Sequence, residues 1–438
     1  MAMVVKNNLD ANSTLNKLNK NSKDLSKSLK KVSSGMKINS AADGASEYSI
    51  SERMRVRIRS LDQANQNTQN GNSMLKTAEG AINSTVEILK TLKEKAINAA
   101  NDTNNSETDR QTIQKEIDQL VDQIDDNANV TYNGKYLLDG TKNSAGSATK
   151  STYINMSLAT DTTASTALTD LKDRAGHHLE IQSTDRLFTT YVTGGDGVTM
   201  IPDQPLFLVA DKSISVMLSN IDEPFSDPIS VGSIAGTSHG GSNVSTPDGE
   251  NAVIISARDP GIAGQISSLT VRITDSEGNI KTRATQALNN FIEVIHPEDA
   301  SEDNAITFHT GEKSNQSIKV GLKDMRSQAL GLRNNKGSQV SVETRGMANI
   351  SVNLLDNALS RALDMQTTLG AIQARFDYTS SNLTVSSENT SASESTIRDA
   401  DMAKEMTEYT KNNVLLQASQ SMLAQANQNS SAVLSLLQ

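Results

Sequence analysis

The sequence contains no cysteine and no tryptophan, and its 438 residues include only seven tyrosines and six phenylalanines. The missing cysteines exclude a disulfide framework and any thiol chemistry. Hydrophobic residues make up 36% of the chain, below the roughly 45–50% of ordinary domains, although that range also counts glycine. Such a chain has less apolar surface to set against its conformational entropy. We therefore expect part of its surface to become buried only on assembly.

The charge of the chain is acidic except near its start. The formal net charge is −10, which argues against nucleic acid as the main partner, because phosphate contacts need a basic face. Residues 1–40 hold eight lysines against Asp10 and Asp24. This local excess of positive charge has two interpretations: a basic arm for DNA or anionic lipid, or a solvated N-terminal segment. A run of like charges is usually solvated, which favours the solvated N-terminal segment. We therefore expect neither a nucleic-acid nor a membrane partner.

Long apolar stretches are also missing. No run approaches the ~18 apolar residues of a membrane-spanning helix, and the N-terminus lacks the apolar core of a cleavable signal peptide. Taken alone, these absences predict a cytoplasmic protein. A protein exported through a dedicated channel would show the same pattern.

Proline and histidine are confined to the middle of the chain. All seven prolines lie between Pro202 and Pro297, and all five histidines lie between His177 and His309. Because proline breaks helices, both ends are free to form long ones.

Apolar residues at both ends recur in steps of three and four, the spacing of a coiled coil. A shorter run from Ile113 to Ile124 follows Thr108, which we expect to cap its helix. Polar residues within the runs weaken the seams and indicate partners that are exchangeable or supplied by other subunits. In the N-terminal third the runs are Leu15, Leu18, Ser22, Leu25, Leu29, Val32 and Met36, then residues 54–99; in the C-terminal third they are residues 355–383, then Met402, Met406, Tyr409, Asn413, Leu416, Gln420 and Leu423.

The centre changes to short apolar runs separated by turn residues. Strands are predicted at 206–210, 253–255 and 269–273, loops at 194–197 and 240–241, and a hairpin within 305–332. The fold class is therefore α+β, with long helical ends bracketing a mainly β insertion. Since neither end can bury its apolar stripe alone, we expect the two ends to pair as antiparallel helices.

Several stretches resemble bacterial flagellins. Residues 29–42 read LKKVSSGMKINSAA, 101–124 read NDTNNSETDRQTIQKEIDQLVDQI, and 132–140 read YNGKYLLDG. Residues 311–332, which end in DMRSQALGL, 369–376 (LGAIQARF) and 423–437 (LAQANQNSSAVLSLL) continue the resemblance in the family order. Each motif is modest, but the set is specific and covers about 235 residues. The central ~135 residues carry no recognisable motif.

The resemblance implies a hairpin-like chain that polymerises into the flagellar filament, the helical propeller for swimming. It implies an inner coiled-coil domain at 1–44 and 395–438, and a helical rod domain with a β-hairpin at 45–160 and 301–394. Residues 161–300 would form a variable, surface-exposed, mainly β domain. The inner segments would be disordered in the free subunit and fold on assembly.

The resemblance also implies the partners. These are copies of the chain itself, flagellar cap and hook-junction proteins, a type III export apparatus, and a secretion chaperone at the C-terminal segment. The filament would be extracellular. The heptad runs suggest which residues pack between subunits in the inner domain, unless they form only an internal helix core: Leu25, Leu29, Val32, Leu416, Leu423, Leu434 and Leu437.

One interaction site can be transferred by position. In many flagellins the rod helix displays an arginine and a leucine that a vertebrate Toll-like receptor recognises. By the pattern of residues 89–104, those positions hold Thr91 and Lys95 here, while an acidic partner is kept as Glu116. The resemblance therefore implies weak receptor activation.

The sequence offers little for catalysis, and we expect no enzyme activity, cofactor or metal. His177 and His178 are adjacent, so in a strand they would point to opposite faces, and no His-Glu-x-x-His string occurs. Asp125 and Asp126 are expected to be solvated acids in a turn. Residues 194–197 lack the lysine and spacing of a phosphate-binding loop.

Three other interpretations stay open at this point. A hook–filament junction protein has similar termini. An adhesin displaying the central domain is compatible with a filament subunit. An intracellular coiled-coil scaffold is disfavoured by the motifs at both ends.

Overall fold

The computed structural model describes residues 9–103, 106–159, 162, 166–193, 206–207, 230–234, 252–257, 259–334 and 339–436. It confirms an α+β fold with long helices at both ends and sheets between them. No apolar stretch in the described helices is long enough to span a bilayer. The helices are α1 (Leu9–Ser34), α2 (Ala45–Ala99), α3 (Glu107–Ala128), α4 (Thr282–Asn289), α5 (Arg345–Arg398) and α6 (Met402–Leu436).

The strands are short and lie between the long helices. They are β1 (Thr131–Tyr132), β2 (Lys135–Tyr136), β3 (Thr152–Asn155), β4 (Arg186–Thr193), β5 (Leu206–Phe207), β6 (Ser230–Ile234), β7 (Ala252–Ser256), β8 (Ile266–Thr274), β9 (Phe291–Ile295), β10 (Ile306–His309) and β11 (Ser317–Val320). One sheet has the order β6-β7-β3-β9 and another the order β5-β4-β8. Their neighbouring strands are antiparallel.

The predicted strands agree with this arrangement where the structure describes them. Residues 253–255 lie in β7, 269–273 lie in β8, and 206–207 form β5. Residues 208–210 and the predicted loops at 194–197 and 240–241 lie outside the described residues. The predicted hairpin within 305–332 is confirmed as β10 and β11, which form a two-stranded sheet.

Contacts divide the chain into two compact units. The first unit comprises Met1–Gln69, His309–Ser317 and Asp377–Gln438. The second comprises Asn70–Phe308 and Ile318–Phe376. The division falls inside α2 and α5, so each of these helices contributes to both units.

The second unit holds most of the buried apolar residues. Its helical core includes Leu75, Ile82 and Leu89 of α2, with Leu355 and Leu369 of α5, all of which have almost no exposed surface. These positions belong to the predicted heptad runs, which are confirmed for this part of the chain. A second cluster lies among the sheets and includes Tyr153, Ile255, Val271, Ile273 and Leu288.

Helix α3 begins differently from the prediction. Its cap is Ser106, whose side chain accepts a bond from the backbone N–H of Asp109, while the Asp109 side chain accepts from the Ser106 backbone. This reciprocal capping box satisfies two backbone donors at once. Thr108 is therefore not the cap but a residue of the first turn.

The prediction that Asp125 and Asp126 lie in a turn is also wrong. Helix α3 continues to Ala128, so both residues are helical. Asp125 is half-buried and accepts bonds from the backbone and hydroxyl of Ser327, at 2.7 and 2.8 Å. Arg333 Nη1 donates to the same carboxylate at 2.9 Å. The acid thus joins α3 to residues 327–333.

Asn133 and Gly134 form the two-residue loop between β1 and β2. Both residues have positive φ, 50° and 74°. Two-residue hairpin loops of this kind favour Asn-Gly because both positions need the left-handed region.

Candidate assembly surface of the terminal helices

The two chain ends pair as antiparallel helices within the first unit, as predicted. Asn21 lies opposite Ser419, Ser28 opposite Asn412, and Lys31 pairs with Glu405 at 3.2 Å. Residue numbers increase along α1 while those of the partner residues on α6 decrease, so the two helices run in opposite directions.

The seam between α1 and α6 consists of residues that are at least partly buried and recur every three or four positions. Leu18, Leu25 and Val32 belong to it, as predicted. The alternate positions differ from the prediction by one residue: Thr14, Asn21 and Ser28 replace Leu15, Ser22 and Leu29. The same shift occurs on α6. The seam residues are Ala11, Thr14, Leu18, Asn21, Leu25, Ser28 and Val32 on α1, and Glu405, Tyr409, Asn412, Leu416, Ser419, Leu423 and Ala426 on α6.

Hydrogen bonds across the seam explain this shift. Asn21 Nδ2 donates to Ser419 Oγ at 2.8 Å and to the Leu415 carbonyl at 3.2 Å. Asn412 Nδ2 donates to Ser28 Oγ at 3.0 Å. Apolar and polar layers therefore alternate along the pair. Buried polar groups fix the register of paired helices when their partners lie at matching positions.

The shift leaves apolar side chains uncovered on both helices. Leu15 and Leu29 of α1 are exposed, and they lie on one side of the helix because they are two heptads apart. On α6, Leu415 and Met422 are exposed and one heptad apart. We call this set of exposed apolar residues, together with Val414, the uncovered face.

Residues 414–416 give the clearest reason for the uncovered face. They are three consecutive apolar residues, and successive residues of a helix point about 100° apart. Only Leu416 lies in the seam with α1, while Val414 is 59% exposed and Leu415 is 42% exposed. α6 therefore carries more apolar surface than α1 can cover.

The predicted packing residues are placed unevenly. Leu25, Val32, Leu416 and Leu423 are half-buried in the seam, whereas Leu29 is 52% exposed. The side chain of Leu434 and the whole of Leu437 lie outside the described residues. Sequence reasoning missed Val414, Leu415 and Met422, although the consecutive apolar residues 414–416 signalled that one seam could not bury them all.

The positions implied for receptor recognition lie in the second unit. Thr91 and Lys95 are on α2, and Glu116 is on α3. Lys95 Nζ pairs with the Glu116 carboxylate at 2.8 Å. Thr91 Oγ1 donates to the Glu87 carbonyl at 3.0 Å, a bond within α2.

Metal binding finds no support in the part of the chain that the structure describes. No group of three or more His, Asp or Glu side chains there is placed to hold an ion. His177 is largely exposed and its Nδ1 lies 3.5 Å from Asp173. That carboxylate also accepts from Arg283.

Paired terminal helices that leave apolar side chains exposed are typical of a class of protein, the subunits that assemble with copies of themselves. Comparisons with known proteins identify the family. Residues 5–143 match the bacterial flagellin N-terminal helical region, and residues 352–437 match the bacterial flagellin C-terminal helical region. The chain belongs to the flagellin family.

Full-length relatives agree with this assignment. The chain is 33% identical to a flagellin of Clostridium tyrobutyricum over 97% of this chain and 99% of that one. It is 30% identical to a flagellin of Bacillus subtilis over 99% of this chain and all of that one. The protein is a structural subunit of the bacterial flagellar filament, which serves motility, and it is not an enzyme.

Two solved structures are distantly similar. FliC from Burkholderia pseudomallei covers 70% of this chain and 99% of its own at 13% identity, with a TM-score of 0.27. The flagellar junction protein FlgL from Legionella pneumophila covers 80% and 99% at 15% identity, with a TM-score of 0.33. Scores this low do not bear on the assignment.

Proposed function

We propose that the uncovered face of α1 and α6 carries the contacts between subunits of the filament. The observation that supports this most directly is the run 414–416, of which α1 covers only Leu416. A patch on one copy that meets a different patch on the next gives a heterologous contact, which extends into a filament when it does not close into a ring. Leu25, Val32, Leu416 and Leu423 would support these contacts from within the seam, and Leu29 directly.

The domain assignment is part of the same proposal. Residues 1–44 and 395–438 form the inner domain, 45–160 and 301–394 the rod domain, and 161–300 the outer domain. Leu434 and Leu437 would extend the contacts of the inner domain to the chain end.

We further propose that the terminal helices fold against each other only at the growing tip. The polar seam supports this, because Asn21, Ser28, Asn412 and Ser419 occupy positions where apolar residues would stabilise an isolated pair more strongly. The ordering of both segments then offsets part of the interface energy. The unfolded ends would pass through a type III export apparatus, with a chaperone on the C-terminal segment.

The finished filament would lie outside the cell. Its subunits would contact cap and hook-junction proteins at the two ends of the polymer, through the same terminal surfaces that join neighbouring copies.

Substitution on the uncovered face tests the proposal. Leu415→Ser removes an exposed apolar side chain without changing the seam. Leu415 has 42% of its surface left to bury, which is worth about 1 kcal/mol, so the critical concentration for seeded polymerisation should rise about fivefold. Gln417→Ser, an exposed polar change on the same helix, is the matched control and should polymerise normally. Equal critical concentrations for the two variants would contradict the proposal.

A truncation tests the wider role of α6. A chain lacking residues 420–438 loses Met422 and Leu423 together with the chain end. We expect a soluble monomer that does not polymerise, seen by sedimentation and electron microscopy. Normal filaments from this chain would refute the assignment of α6 to subunit contacts.

A further inference from the structure

Two short segments connect the terminal helix pair to the long helices of the first unit. Residues 35–44 join α1 to α2, and residues 399–401 join α5 to α6. The segments run antiparallel and form a β-bridge between Met36 and Asp399. We call this region the joint.

Backbone bonds hold the two segments of the joint together. The Lys37 N–H donates to the Arg398 carbonyl at 2.7 Å, and the Ala400 N–H donates to the Gly35 carbonyl at 2.9 Å. Gly35 has a φ of 70°, in the left-handed region that glycine adopts readily. It therefore ends α1 and turns the chain into the joint.

The side chain of Arg398 crosses the joint and is almost fully buried, with 7% of its surface exposed. Its Nη1 donates to Ser51 Oγ at 3.1 Å and to the Glu52 carboxylate at 2.7 Å. Its Nε donates to Met36 Sδ at 3.2 Å. The guanidinium also lies over the Tyr48 ring, 5.7 Å from its centre. One planar group thus connects the end of α5, the start of α2 and the first segment of the joint.

Acidic groups complete this arrangement. Ser51 has no exposed surface and donates onward to the Glu394 carboxylate at 3.0 Å. The hydrogen bond from Arg398 is the main cause that lowers the pKa of Glu52 below its usual range. The buried arginine is therefore paired and its geometry is specified from several sides.

We propose that Arg398 is a positioning residue for polymerisation, which fixes the direction in which the α1–α6 pair leaves α2 and α5. It lies outside the uncovered face and acts through the joint. This inference rests on the proposed role of that face. Without Arg398 the pair that folds at the growing tip could leave the joint in several directions, and confining it to the one that fits the neighbouring subunits would cost entropy and raise the critical concentration.

The experiment compares Arg398→Ala, Arg398→Lys and Arg59→Ala in the full-length chain. Arg59 is an exposed arginine of α2, so its removal changes the net charge equally. Critical concentration is measured with seeds, and hydrogen exchange at the Lys37 and Ala400 amides is measured in filaments grown above it. Exchange in β3 and β8 reports the second unit, and Leu415→Ser is run alongside.

Arg398→Ala should raise the critical concentration about tenfold or more, since bonds to a buried charged group are lost. Exchange at Lys37 and Ala400 should accelerate, while β3 and β8 stay protected. The critical concentration of Arg398→Lys should lie between those of Arg398→Ala and the unaltered chain, because lysine keeps the charge facing Glu52 but lacks the planar guanidinium group. Arg59→Ala should match the unaltered chain.

Two results would overturn the inference about Arg398 without contradicting the proposed role of the uncovered face. One is an Arg398→Ala chain that polymerises like Arg59→Ala. The other is a loss of protection in β3 and β8, which would make the effect a general loss of folding. Leu415→Ser should raise the critical concentration without changing exchange at Lys37 and Ala400. An unchanged critical concentration for Leu415→Ser would contradict the proposed role of the uncovered face, and this inference, which rests on that role, would fail as well.

Discussion

Arg361 and Glu293 form a buried ion pair in the second unit. Arg361 Nη2 lies 2.6 Å from one carboxylate oxygen and its Nε lies 3.0 Å from the other. Arg361 is only 6% exposed, and its Nη1 also donates to Gln265 Oε1 at 2.9 Å and to the Ala329 carbonyl at 2.8 Å. Burial favours the neutral carboxylic acid, but the charge of Arg361, the bonds from its guanidinium and the nearby His296, whose Nδ1 lies 3.1 Å from the carboxylate, outweigh it and lower the pKa of Glu293. The pair joins α5 to β9.

Glu293→Gln should destabilise the second unit strongly. The substitution leaves a buried guanidinium without its counter-charge, and breaking such a pair on one side costs about 3–5 kcal/mol. Urea unfolding of the full-length chain, followed in the second unit by hydrogen exchange, measures the loss. Lys90→Ala is the control, because Lys90 pairs with Glu87 at an exposed site where the expected cost is below about 1 kcal/mol. Similar losses of unfolding free energy in Glu293→Gln and Lys90→Ala would contradict the structural role of the Arg361–Glu293 pair.

Acid should weaken the fold partly through Asp173. The hydrogen bond from Arg283 is the main cause that lowers the pKa of this carboxyl from 3.8 to about 2. A folded-state pKa below the unfolded value means that its contribution to stability is complete above about pH 4 and is lost as the pH falls through about 2. Unfolding measured from pH 7 to pH 2 should show less acid-dependent loss in Asp173→Asn than in the unaltered chain. Parallel curves for the two proteins would show that Asp173 contributes nothing.

The sequence predicted the paired ends but not the exact seam between them. Thr14 and Leu15 both fit the step of three or four from Leu18, and an apolar criterion selects the leucine. Which of the two residues enters the seam is decided by hydrogen bonds between α1 and α6, such as the one from Asn21 to Ser419. These bonds depend on a partner nearly 400 residues away in the sequence.

Buried charges were the other feature that spacing could not predict. Arg361 and Arg398 both lie on a helix whose pattern looks like an ordinary apolar stripe with polar neighbours. Their burial depends on acids brought close by the fold, Glu293 in one case and Glu52 in the other. The apolar periodicity of α2, α3 and α5, by contrast, is local information, and it predicted the helical core of the second unit.

Gly71→Ala and Gly80→Ala should have opposite effects on stability. A Cβ on Gly71 would lie 3.0 Å from Phe308 and 3.3 Å from Phe376, whereas a Cβ on Gly80 meets nothing within 4 Å. Phe308 and Phe376 pack edge to face with their centres 5.3 Å apart, so they have little room to move. Alanine is favoured over glycine in a helix by about 1 kcal/mol, while overpacking costs about 1–3 kcal/mol.

Thermal unfolding of the two alanine variants measures this difference. Gly80→Ala should unfold at a higher temperature than the unaltered chain and Gly71→Ala at a lower one. A stabilised Gly71→Ala variant would mean that the two phenylalanine rings can shift without loss, and that the close approach of α2 to β10 is not required.

Recognition by the vertebrate Toll-like receptor should be weak, and the structure suggests how to restore it. By the transferred pattern, Lys95 occupies the position of the leucine and Thr91 that of the arginine, and Lys95 also pairs with Glu116. Thr91 supplies no cation. Losing an interfacial arginine or an apolar anchor costs about 2 kcal/mol each. Thr91→Arg combined with Lys95→Leu would supply both groups and release the Glu116 carboxylate.

Reporter cells exposed to purified monomer measure the response. The double variant should act at a concentration at least about tenfold lower than the unaltered chain. Lys90→Leu, one residue before Thr91, is the control for loss of a lysine on the same helix and should change nothing. If the unaltered chain already matches a flagellin that carries the arginine and the leucine, recognition must depend on other residues of α2 and α3, because Thr91 and Lys95 cannot make those contacts.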